Sequence, residues 1–187
     1  MMNILSKGIE MTYEIYCYKS NLFAPDLNEA QNATLMKDAE SNGNANSKKI
    51  QIIMALRKFN PKLDSYLMPG YNNLKTIKNI KESHIVLISP KGDFATQITI
   101  LNNWVLFSIP YWYSDTTASE VFRQTDQYLN IIRQTVYYYV YDPQAQKAYD
   151  PWNENFDALT LYIKTSKIIE QDKSEKAKHR VRWNNKN

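Results

Sequence analysis

Residues 96–113 read TQITILNNWVLFSIPYWY, two β-branched and aromatic runs around Asn102-Asn103. Asn tolerates positive φ, so a two-residue hairpin turn fits between Thr96–Leu101 and Trp104–Ile109. That turn sets Ile98 opposite Phe107 and Ile100 opposite Val105, all four on one face. Gln97 and Ser108 fall on the other face, which reads as partly wet. Upstream, His84–Ile88 (HIVLI) is another short β-branched run, ended by Pro90 and Gly92. Successive extended runs joined by tight turns predict an antiparallel sheet.

Downstream of the hairpin, Thr117 and Glu120 match a T-x-x-E capping box. Ala118, Val121, Phe122, Thr125, Leu129, Ile132 and Val136 then recur at steps of three and four, which predicts a long amphipathic helix over 117–136. Tyr137–Tyr141 (YYYVY) reads as a strand. Asp142-Pro143-Gln144 turns it, and Lys147–Tyr149 returns as a hairpin partner. A last helix is expected over Phe156–Ile169, followed by a polar, frayed end.

Toward the N-terminus, Thr12–Lys19 (TYEIYCYK) alternates with period two, as a strand does. Pro25-Asp26 opens a loosely periodic helix, LNEAQNATLMKDAE. Residues 41–47 (SNGNANS) read as a loop. Ile52, Ile53, Leu56 and Phe59 share a side of a second helix over Lys48–Phe59, with Ser47 as N-cap. Asn60-Pro61 stops it, and 61–83 reads as an irregular connection. The order β-α-α-β-β-β-α-β-β-α predicts a single α+β domain, an antiparallel sheet with helices packed on one face. The domain spans residues 1–170, and 171–187 forms a basic, flexible tail.

The chain has 187 residues, 43% hydrophobic and 22% charged, which suits one folded domain without disulfides. Cys17 is the sole cysteine, an argument for a reducing compartment. With no apolar run of spanning length and no signal-peptide pattern at the start, the protein is expected to be cytoplasmic and away from membranes. The net charge of +4 is uneven. Lys164, Lys167, Lys173, Lys176, Lys178, Arg180, Arg182 and Lys186 face only Glu170, Asp172 and Glu175, so residues 164–187 carry +5 and the rest −1. Nucleic-acid binding is therefore not expected of the body. The KSEKAKHRVRW stretch could bind phosphates, against the plainer reading of a solvated terminus.

Catalytic chemistry finds little purchase. A nucleophile needs a base beside it, and the histidines are His84, at a strand start, and His179, in the basic tail. Cys17 sits mid-strand, where a small buried thiol is the usual explanation, although a Cys17/His84 pair stays open. Asp142, Asp150, Glu154 and Asp157 cluster in sequence and could hold a cation or act as an acid–base pair. Their spacing fits no metal template, and turn formation before Pro143 and Pro151 is the simpler role. Gly8, Gly43, Gly70 and Gly92 are isolated and build no phosphate cradle. No enzyme activity, cofactor or metal is expected. The aromatic stretches Tyr111-Trp112-Tyr113 and Trp152 are either core plugs or interface anchors.

Three segments, MTYEIYCYKSNLFAPDLNEAQ from Met11, TQITILNNWVLFSIPYWYS from Thr96 and YVYDPQAQKAYD from Tyr139, carry a resemblance. Together they resemble a group of small bacterial proteins with a Tyr-rich first strand, a Pro-Tyr-Trp hairpin end, a long helix and a Tyr-Asp-Pro-Gln turn. That group is similar to immunity proteins of polymorphic toxin and contact-dependent growth inhibition systems. The resemblance implies a cognate toxin domain as partner, reached through Tyr111, Trp112, Tyr113, Asp142, Gln144 and Trp152. It also implies a start at Met11, with residues 1–10 an extension. The alternative is a nucleic-acid-binding accessory protein that works through the basic tail. Inhibitors of basic nucleases are often acidic for steering, and this near-neutral body would need a local acidic patch to match.

Overall fold

The hairpin at Asn102-Asn103 forms as its residues dictate. The computed structural model describes residues 12–35, 43–66, 85–88, 96–154 and 157–184. Among these, Gln97–Ile100 (β4) pairs antiparallel with Trp104–Pro110 (β5). Ile98 faces Phe107 and Ile100 faces Val105, and all four are fully buried. Gln97 lies opposite Ser108 on the wetter face, with Gln97 exposed.

The remaining strands are Thr12–Tyr18 (β1), Asp64–Tyr66 (β2), Ile85–Ile88 (β3), Tyr139–Asp142 (β6) and Lys147–Tyr149 (β7). They complete an antiparallel sheet in the order β2-β3-β4-β5-β1-β6-β7. The N-terminal strand β1 is central, with Thr12 opposite Pro110 and Tyr16 opposite Tyr141. β2 lies in the stretch expected to be irregular. Three residues without hydrophobic alternation carry little strand signal of their own, and their pairing with β3 makes them a strand.

Leu27–Leu35 (α1), Gly43–Phe59 (α2), Asp115–Val136 (α3) and Ala158–Asn184 (α4) supply the helices. The chain is an α+β domain. Tyr13, Ile15, Cys17, Phe107 and Val140 on one sheet face pack with Ile52 and Leu56 of α2, Phe122, Leu129 and Ile132 of α3, and Tyr162 of α4. Three helices thus share a face, as expected. The exception is α1, which lies against the other face over Tyr18, Tyr139 and Tyr141. Those rings on β1 and β6 form a second apolar patch, and covering it is favourable.

Four local expectations are corrected. The N-cap of α3 is Ser114, whose Oγ accepts from the Thr117 amide at 3.4 Å, so the helix starts two residues before Thr117. Glu120 pairs with Arg123 instead of closing a capping box. Tyr137 is not a strand residue. It caps α3 in the left-handed region (φ 62°, ψ 33°), with its amide donating to Arg133 O, and β6 begins only at Tyr139. The second helix begins at Gly43, inside the presumed loop, and α4 continues through Asn184 where a frayed tail was expected. Met11, His84 and Pro90 lie outside the described residues. Among the described residues no helix is long and apolar enough to cross a membrane.

Candidate protein-docking surface

The six residues singled out from sequence fall at two ends of the molecule. Five of them gather where β5 ends. Tyr111 stacks on Tyr162 at 5.0 Å and edges against Tyr13, so it plugs the core. Tyr113 packs beside it, its amide donating to the Tyr162 hydroxyl at 3.3 Å. Trp112 turns outward and is 59% exposed.

Asp142 is fully buried and not a surface contact. Its carboxylate accepts from the Tyr13 hydroxyl and, at 2.9 Å, from the Ala145 amide, so it closes the β6–β7 turn from within. Burial pushes its carboxyl above the usual aspartate value, partly offset by these donors. Gln144 is exposed at that turn. Its amide nitrogen, in the orientation that suits its neighbours, donates to Glu14 O at 2.8 Å.

Trp152 sits elsewhere, on the turn after β7, beside the C-terminal end of α3. Ser114 and Arg133 are nineteen positions apart on α3, about 28 Å at the rise of a helix. Trp112 and Trp152 therefore belong to opposite ends. Around Trp152 the side chains are joined by hydrogen bonds and ring contacts. Arg133 Nε and Nη2 each donate to Asp150 at 3.0 Å in a two-pronged, nearly buried pair. These hydrogen bonds hold the Asp150 carboxyl below its ordinary value. Asp150 Oδ1 also accepts from the Trp152 amide at 3.1 Å, which sets the turn. The Arg133 guanidinium lies 4.7 Å from both the Trp152 and Tyr139 rings and 5.6 Å from Tyr137. Trp152 remains 49% and Tyr137 67% exposed.

At the same end lies a feature that the sequence reading passed over. β1 leaves the sheet at Tyr18, and the loop that follows holds Leu22 and Phe23 out into solvent, Phe23 fully exposed. Hydrogen bonds fix that loop. Ser20 Oγ donates to Glu29, the Asn21 amide donates to Glu29 Oε1 at 2.7 Å, and the Leu22 amide donates to Ser20 Oγ at 2.9 Å. Asp26 caps α1 through the Glu29 amide at 2.8 Å, and the Asp26 amide donates to the Tyr18 hydroxyl at 3.1 Å. An open groove of about 580 Å³ runs beside the loop, lined by Lys19, Asn21, Glu29, Asn32 and Asn103, with Leu22 on its rim. Tyr18 meets Tyr139 at 6.3 Å, and Tyr139 lies under Arg133. The loop and the Trp152 turn are thus linked through one aromatic row.

The sequence signal for this loop was Leu22-Phe23 standing between two structured runs without periodicity. Cys17, the possible nucleophile, is buried in the sheet, and desolvation pushes its thiol well up, which disfavours the reactive thiolate. Among the described residues no group of three His, Cys, Asp or Glu side chains could hold a metal ion. No protein-family model, curated protein or solved structure matches the chain.

Proposed function

We propose that this chain is an immunity protein, which binds a cognate toxin domain and blocks it without chemistry of its own. The observation that carries the reading is the braced loop at Ser20–Asp26. Large apolar side chains held rigidly in water cost solvation and give nothing to the fold, whereas in an interface they bury area at little entropic cost. Leu22 and Phe23 are such side chains, and Trp152 and Tyr137 present more aromatic surface at the same end. The resemblance of the Tyr-rich strand, the Pro-Tyr-Trp hairpin end and the Tyr-Asp-Pro-Gln turn supplies the class of partner.

The test is co-expression with the toxin domain encoded beside the gene. Wild type restores growth, and a folded Phe23→Asp/Trp152→Ala variant restores less. Full rescue by that variant removes this end from the interface, and failure of wild type to bind the toxin at micromolar concentration ends the immunity reading for that pair.

A second reading, nucleic-acid binding through the basic end, is favoured by one observation. α4 is continuous to Asn184, which strings Lys164, Lys167, Lys173, Lys176, Lys178, Arg180 and Arg182 along a single helix. Salt-sensitive retention of a short RNA that disappears on deleting residues 171–187 would favour it.

A further inference from the structure

We draw no further inference here: the strongest candidate, the open groove between α1 and the loop that carries Leu22 and Phe23, has its Glu29 carboxylate already held by Ser20 and Asn21 of that loop, and nothing in the structure shows what covers the groove or the exposed Phe23 ring beside it.

Discussion

At the residue scale, the Arg133–Asp150 pair organises the end of the molecule that carries Trp152. It is nearly buried, and its hydrogen bonds fix both the guanidinium under Trp152 and the turn that carries Trp152. A buried ion pair contributes little over an apolar pair of the same shape, but losing one partner leaves an uncompensated charge. Arg133→Ala is therefore expected to cost about 3–5 kcal/mol in urea unfolding. Arg133→Met/Asp150→Leu should recover most of that while releasing Trp152. A cost below about 1 kcal/mol for the single change would show that water reaches Asp150 and that the pair does not hold the turn. Nothing in the spacing of Arg133 and Asp150 announced their pairing, because a helix end and a post-strand turn meet only in the folded chain.

At the element scale, α3 is the part most fully readable from sequence. Its apolar residues at steps of three and four are the ones buried, Val121, Phe122, Leu129 and Ile132 among them. Leu129→Ala should cost about 2–5 kcal/mol, as a methyl-lined cavity opens between the sheet and the helix layer. A measured change below about 1 kcal/mol would mean that α2 and α4 collapse into the space. The ends of elements were less readable. Ser114 caps α3 where Thr117 was expected, because both residues suit a cap and only the path of the chain from Tyr113 selects between them. Tyr137 continued a β-rich YYYVY run on paper, yet the helix terminates on it in the left-handed region. Strand propensity is a preference for a half-buried pleated surface, and at Tyr137 no neighbouring strand supplies one.

At the scale of the whole molecule, stability should respond to pH in a particular direction. Burial foremost, then the charge of Asp157, pushes the Asp126 carboxyl from 3.8 up to about 6. Burial foremost, then the charge of Asp126, likewise pushes the phenol of the buried Tyr149 of β7 up. Between those two values the folded chain holds a proton that the unfolded chain has released. Stability therefore rises as pH is lowered from 7 to 5, and it is lost again as pH rises through 6. Asp142, also raised, acts in the same sense. Asp150, Glu29, Asp157 and Glu120 are lowered and act oppositely, only as pH falls toward their unfolded values near 4. Thermal melts between pH 5 and 7.5 should show the rise, and Asp126→Asn should flatten it and raise Tm at pH 7.5. An unchanged slope in that variant would place the titration on another group. Local hydrophobic period and turn chemistry, which act over a few residues, were enough for the α+β class, the 98–107 and 100–105 pairing and the buried side of α3. Only the tertiary structure decided that α1 crosses to the far face, that β1 runs through the middle of the sheet, that Asp142 is interior and that Trp112 and Trp152 stand at opposite ends. Those outcomes depend on which distant surfaces bury each other, and no local pattern carries that information.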